Sequence, residues 1–373
     1  MLRRLAVLAA LTLLVAAWPA RAAAPAVDAD AYLLVDPATN AVLAQRAPDR
    51  ELPMASTTKM MTALITLESA GLGDVMTVPP DAAVGGSTGS LEAGERLTVR
   101  DLLKALLVAS GNDAAVTLAE GVAGSQAAFV ARMNRRAREL GLTSTHFANP
   151  HGLDAPGHHS SARDLVALAR YAMKNPVFRE IVSHRRAFIP GPGVVGLREY
   201  ESENELLDID PDVDGVKTGM TDGAGFALVA HSGRTPGRPE LYLALIGAPS
   251  ASARAEEGEA LLDYGRSLYA PATLIARDAV FGKVPVHDRP GTEVPYKAAS
   301  PLTAALRLGQ PVTETVTAPP EITAPVAEGD VVGSVTLRQG DRLLGTRRLV
   351  AAASAGEPSV WERIHACFDA LMP

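Results

Sequence analysis

Three short stretches of this chain hold residue types able to do acyl-transfer chemistry. In Ala55-Ser56-Thr57-Thr58-Lys59 a hydroxyl stands three residues before an amine, at the head of an apolar run of Met60, Met61, Ala63, Leu64, Ile65 and Leu67. If that run is helical, Ser56 and Lys59 lie one turn apart on one face, which sets a nucleophile beside a base. Ser110-Gly111-Asn112 brings a second hydroxyl and an amide to a break between two apolar helices. In Lys217-Thr218-Gly219 an amine and a hydroxyl precede a glycine on or beside a strand, where the missing side chain lets a ligand approach the backbone. Each motif has a plain structural reading when taken alone: a capping serine and surface lysine, a polar turn with Asn112 as N-cap, and an ordinary strand end.

The scarcity of lysine weighs against the plain readings. There are six lysines (59, 104, 174, 217, 283 and 297) among 35 basic residues, so arginine makes most of the positive surface. Arginine keeps its proton, whereas a buried lysine can lose it. Two of the six fall in the motifs above.

The elements that must position these groups follow from patterning. Tyr32–Val35 and Ala41–Gln45 read as strands around the turn Pro37–Asn40, and Pro53 suits an extended entry to the Ser56 helix. The Gly-rich segment between Asp74 and Arg96 reads as a loop that is either a rim or plain surface. Thr98 with Asp101 resembles a helix start, followed by Leu102, Leu103, Leu106 and Leu107 on one face. Further helices are expected over Asp113–Glu120, Ser125–Leu140 and Ser161–Lys174. Phe226–Ala230 and Leu241–Ile246 form a hairpin through the polar link Ser232–Glu240, and Ala253–Tyr269 is a helix packing on that sheet. From about Pro271 short β-prone pieces alternate with Pro and Gly: Thr292–Tyr296, Val312–Thr317, Val331–Leu337 and Leu343–Val350, with a turn at Gln339-Gly340-Asp341.

Whole-chain properties bound the function. With 373 residues the chain is long enough for two domains, and a net charge of −7 without a basic block argues against nucleic acid. A single cysteine, Cys367, excludes an intramolecular disulfide framework. Arg3 and Arg4, the apolar stretch Leu5–Trp18 and Ala20-Arg21-Ala22 read as an export signal over 1–22. His146, His151, His158 and His159 do not follow a helical metal-ligand spacing, so no metal or cofactor is expected and the histidines read as loop structure. Residues 356–373 read as an amphipathic helix, either lying on a membrane surface or docked on the β-rich part.

Taken together, Ser56-x-x-Lys59, Ser110-Gly111-Asn112 and Lys217-Thr218-Gly219 in this order form the motif set of penicillin-binding proteins and class A β-lactamases. From about Ala31 to Tyr269 the chain resembles the low-molecular-mass D-alanyl-D-alanine carboxypeptidases, including Leu107–Ala115, Asn149–Leu153, Ser160–Leu165 and Asp214–Gly225. The resemblance implies an α/β (α+β) transpeptidase-like domain over 23–270, with an antiparallel sheet and a helical subdomain. A small all-β domain over 271–355 and the terminal helix would follow. It also implies a peptidoglycan stem peptide as substrate and β-lactams as inhibitors. Ser56 would be the nucleophile, Lys59 its base and Ser110 a proton relay; Asn112 would hold the substrate amide. Lys217, Thr218 and Arg254 would bind its carboxylate, and the backbone N–H groups of Ser56 and Met220, flanking Gly219, would form the oxyanion hole.

Two positions depart from some relatives: Met220 replaces a histidine after the Lys-Thr-Gly, and Glu203 replaces an arginine before Asn204. Two rival readings stand beside this one. A secreted class A-like β-lactamase should lack the β domain and carry a Glu-x-x-x-Asn segment, which Glu199–Glu205 does not provide. A non-catalytic peptidoglycan-binding protein predicts broken motifs, and all three are intact.

Overall fold

The computed structural model describes residues 10–13, 23–192, 196–235, 237–287, 289 and 291–361. The chain divides into two compact units, Ala22–Ser267 and the remainder. In the first, five antiparallel strands form a sheet in the order Ala41–Arg46, Ala31–Asp36, Leu241–Ala248, Gly225–Ser232, Val213–Thr221. The central strands are apolar throughout because both faces are covered. Leu33, Val35, Tyr242, Ala244 and Ile246 join the core beneath the helices, while the alternate residues Leu34, Leu228 and Leu241 meet the long helix Ala251–Ser267. Gly258 and Gly265 let that helix lie tight: a Cβ on either would come within 2.7 to 2.9 Å of Leu228, Leu34 or Leu241.

The helical part comprises Lys59–Ser69, Val99–Leu107, Asn112–Ala123, Gln126–Glu139, Ala162–Ala172 and Pro176–Val182. Its boundaries follow local chemistry. Thr98, Ser125 and Ser161 each accept a backbone N–H three residues on, and Gly124 and Gly141 adopt positive φ just beyond helix ends. The hairpin Arg186–Pro190 with Leu197–Glu201 is not expected from the sequence, since its strands are short and little buried; only Ala187, Ile189 and Tyr200 face inward. The Gly-rich loop is likewise bracketed by a short strand pair, Val75–Thr77 with Arg96–Thr98.

The second unit is all-β. Its sheet runs Ala10–Leu13, Val312–Thr317, Val331–Gln339, Arg342–Ala351, Glu293–Ala298, Val280–Pro285, and a separate pair joins Tyr269–Ile275 to Leu302–Arg307. Val335, Leu337, Leu349, Ala351 and Val294 fill its core. Three strands, Tyr269–Ile275, Val280–Pro285 and Leu302–Arg307, escape the sequence reading; prolines at 271 and 285 mask the first two. Apart from the backbone of Ala10–Leu13, the expected signal segment lies outside the described residues, as does the expected terminal helix beyond Trp361.

Candidate active site

Ser56 stands on a single 3₁₀ turn, Ala55–Thr58, that runs into the helix Lys59–Ser69. Ala55 takes φ +49°, a left-handed conformation that side-chain-bearing residues rarely adopt and that persists only where the surroundings over-determine it. Thr57 Oγ1 donates to the Met54 carbonyl at 2.6 Å and Thr58 Oγ1 to that of Ala55 at 2.8 Å. Gly152, at φ +102°, presses on the same turn: a Cβ there would sit 2.1 Å from the Ala55 oxygen. His158 Nε2 lies 2.9 Å from Thr58 Oγ1, and its Nδ1 accepts the Ala148 N–H. The segment 144–160 thus buttresses the turn through Gly152 and His158, while His146 Nδ1 lies 2.8 Å from the Gly157 carbonyl, His151 Nδ1 accepts the Leu153 N–H and His159 faces Glu51.

Lys59 is completely buried. Its Nζ lies 2.8 Å from Ser56 Oγ, 2.7 Å from Asn112 Oδ1 and 2.6 Å from the His151 carbonyl oxygen. Burial first, then the positive charge of Lys217, holds its pKa well below the ordinary lysine value, against the opposing pull of Glu203 and Asp113. A neutral amine has two N–H bonds and one lone pair. The two carbonyl oxygens accept the N–H bonds, which leaves the lone pair facing the Ser56 hydroxyl.

Asn112 opens the helix Asn112–Ala123, and its side chain is engaged at both ends: Oδ1 on Lys59 and Nδ2 on the Gly85 carbonyl at 2.6 Å. The Gly-rich loop is therefore a rim of the site. Its fixing group, missed in the sequence, is Asp113, whose carboxylate accepts from Thr88 Oγ1, Gly89 N–H and Leu91 N–H. Tyr200 adds a bond to the Gly89 carbonyl at 2.6 Å. Ser110, buried at φ +57°, precedes this helix. Its hydroxyl makes no hydrogen bond to Ser56, Lys59 or Lys217 among the described residues.

The third motif lies on Val213–Thr221, the edge of the five-stranded sheet. Lys217 is 3% exposed and donates to the Thr218 carbonyl at 2.9 Å. Burial lowers its pKa to about 8, with Glu203 resisting and Arg254 assisting. Gly219 is where strand and nucleophile turn meet: a Cβ there would fall 2.7 Å from the Ser56 nitrogen. Thr218 is buried, whereas the Met220 side chain points outward, half exposed. Arg254 lies over the Phe226 ring, and Phe226 is the strand partner of Met220. Its Nη2, however, is already bonded to both Glu205 oxygens at 2.7 Å and to the Glu203 carbonyl at 3.0 Å.

A serine on a 3₁₀ turn beside a neutral-leaning lysine at the head of the following helix, a Ser-Gly-Asn break and a Lys-Thr-Gly edge strand define a serine acyl-transfer enzyme of the penicillin-binding class. Residues 19–249 match the D-alanyl-D-alanine carboxypeptidase family, and residues 269–357 match the C-terminal domain of penicillin-binding protein 5. The chain is 34% identical to D-alanyl-D-alanine carboxypeptidase DacC of Escherichia coli, over 91% of this chain and 88% of that protein. It is 30% identical to DacF of Bacillus subtilis, over 87% and 85%. Penicillin-binding protein 5 of Haemophilus influenzae superposes with a TM-score of 0.63 at 27% identity, covering 90% of this chain and all of that one. The Streptomyces K15 DD-transpeptidase superposes equally well, TM-score 0.63 at 29% identity, on 66% of this chain and all of that one. The chain belongs to the D-alanyl-D-alanine carboxypeptidase family, a family of serine-type enzymes.

Proposed function

We propose that this protein removes the terminal D-alanine from peptidoglycan stem pentapeptides through an acyl-enzyme on Ser56. The observation that carries this reading is the Lys59 amine, buried, held by two carbonyl oxygens and 2.8 Å from Ser56 Oγ. In the forward step Ser56 passes its proton to Lys59 while Oγ bonds to the carbonyl carbon of the penultimate D-alanine. The oxyanion is met by the backbone N–H groups of Ser56 and Met220, a placement that the close approach at Gly219 supports. Collapse breaks the C–N bond, and the departing amine takes up the proton that Lys59 received from Ser56. Water then attacks the ester, returns Ser56 and releases the shortened peptide.

The edge position of Val213–Thr221 supports substrate binding as an added strand, with the terminal carboxylate on Lys217 and Thr218. Asn112 acts mainly by holding Lys59, since both ends of its amide are engaged internally. A β-lactam acylates Ser56 in the same way, but its leaving group stays tethered. The enzyme works outside the cytoplasm in this reading. The export-signal pattern of residues 1–22 supports that, and the helical spacing of apolar residues in the sequence from Val360 to Met372 is the ground for contact with a membrane surface.

Intact-mass spectrometry with benzylpenicillin, beside a D-alanine release assay on a stem pentapeptide, tests the proposal. A penicilloyl adduct on wild type and none on Ser56→Ala, together with D-alanine release, is the expected result. Rapid penicillin turnover without an adduct would overturn it in favour of a β-lactamase, and an adduct without D-alanine release in favour of a binding role.

A further inference from the structure

A carboxypeptidase needs a cation at the Lys-Thr-Gly strand to receive the substrate's terminal carboxylate. Two cations are near: Lys217 on the strand and Arg254, over the ring of Phe226. Both are already faced by acids from one short segment, Glu203-Asn204-Glu205. Arg254 is 4% exposed, and its Nη2 donates to both carboxylate oxygens of Glu205. Its Nε is buried without a partner. The Glu205 side chain is 41% exposed, so it reaches Arg254 from the solvent side. Glu203 anchors its carbonyl on the same Nη2, while its carboxylate is exposed and has no hydrogen bond or ion pair among the described residues. That free carboxylate acts on both site lysines, favouring their charged forms. Between the two acids, Asn204 is 3% exposed with both amide atoms unbonded.

Resting on the carboxypeptidase reading, we infer that Glu205 is an internal carboxylate that occupies Arg254 and thereby sets the enzyme's selectivity on the leaving-group side. A substrate carboxylate gains little at Arg254, because it can bind there only by displacing an equivalent group. Recognition of a free C-terminus then falls to Lys217 and Thr218, with Glu203 opposing it. The discrimination between a substrate ending in a carboxylate and one ending in a neutral group is correspondingly weak. Glu205 acts through Arg254 and is a positioning residue, with no part in the bond changes at Ser56.

The test uses the full chain and two peptides, an acyl-L-lysyl-D-alanyl-D-alanine with a free C-terminus and the same peptide as its C-terminal amide. Glu205→Gln should raise the acid-to-amide ratio of kcat/KM by about five- to tenfold, chiefly through a lower KM on the acid. Glu205→Ser should do the same; a collapsed site would instead lower turnover of both peptides. In an Arg254→Ala background Glu205→Gln should leave the ratio unchanged. A ratio that stays constant or falls in both Glu205 variants, or a rise that persists without Arg254, overturns the inference while the carboxypeptidase reading stands. If wild type cleaves neither peptide and forms no penicilloyl adduct, both fall together.

Discussion

Lys59 and Lys217 are the same residue in two regions of one site, both almost fully buried, and the regions are built for opposite ends. Around Lys59 three oxygens converge from a turn, a helix start and a loop, and the charge of Lys217 pushes against it. Around Lys217 one backbone carbonyl accepts, and its strand is the last of the sheet, with the Ser56 turn packed close at Gly219. The first region favours a neutral amine with its lone pair on a hydroxyl. The second keeps a cation with a pKa of about 8, charged at neutral pH and free to meet an anion. The lesson is that paired environments divide acid–base roles between chemically identical groups. Each lysine also assists the other, since a charged Lys217 helps keep Lys59 neutral.

This contrast can be broken in order of expected effect. Lys59→Arg puts a permanent cation where a base is needed, so kcat/KM and the acylation rate should fall about 10³- to 10⁴-fold. A loss below tenfold, read by D-alanine release, would mean the base lies elsewhere. Gly219→Ala attacks the junction of the two regions, because its Cβ would meet the Ser56 nitrogen at 2.7 Å. Loss of one oxyanion donor by that displacement should cost about 10²-fold in kcat, with the melting temperature as a control for folding. Lys217→Ala should raise KM by roughly ten- to a hundredfold through loss of a charge-assisted bond.

Proton binding sharpens the same comparison. The kcat/KM profile should fall on the acid side as Lys59 gains its proton and on the alkaline side near pH 8 as Lys217 loses its own. Lys217→Arg should retain activity and remove the alkaline limb, since the guanidinium stays charged. The last effect is on stability rather than turnover and concerns the buttress. Burial holds His151 and His158 at about 4, below the ordinary 6.5. Between those values the unfolded chain binds more protons than the folded one. Stability is therefore full above pH 6.5 and is lost on acidification toward 4, by up to about 3 kcal/mol for each histidine. Thermal melts across that window check this, and His158→Gln should flatten the slope.

The legible and illegible parts of the site differ physically. Ser56 and Lys59 are readable because a helical spacing of three places them together, and the caps at Thr98, Ser125 and Ser161 follow from short-range side-chain chemistry. The central strands are readable because burial on both faces leaves unbroken apolar runs. The positive φ of Ala55 and Ser110, residues with no glycine to announce it, is not readable. Nor are the backbone acceptors of His151 and Gly85, since a carbonyl carries no residue signature and these partners lie 92 and 27 positions away. Where the sequence leaves Arg254 to await a substrate carboxylate, the structure gives it Glu205, a partner 49 positions distant that only the fold brings near.

The most direct test of the division between the two lysines is a titration of their side chains by NMR, in protein labelled with ¹³C at lysine Cε. With six lysines in the chain the spectrum is tractable, and the Lys59→Arg and Lys217→Arg variants assign the two signals that matter. At pH 7.5 Lys217 should still be charged, with a midpoint near 8, while Lys59 should titrate well below the ordinary lysine value. Two charged lysines at that pH, titrating together near the ordinary value, would contradict the division of roles.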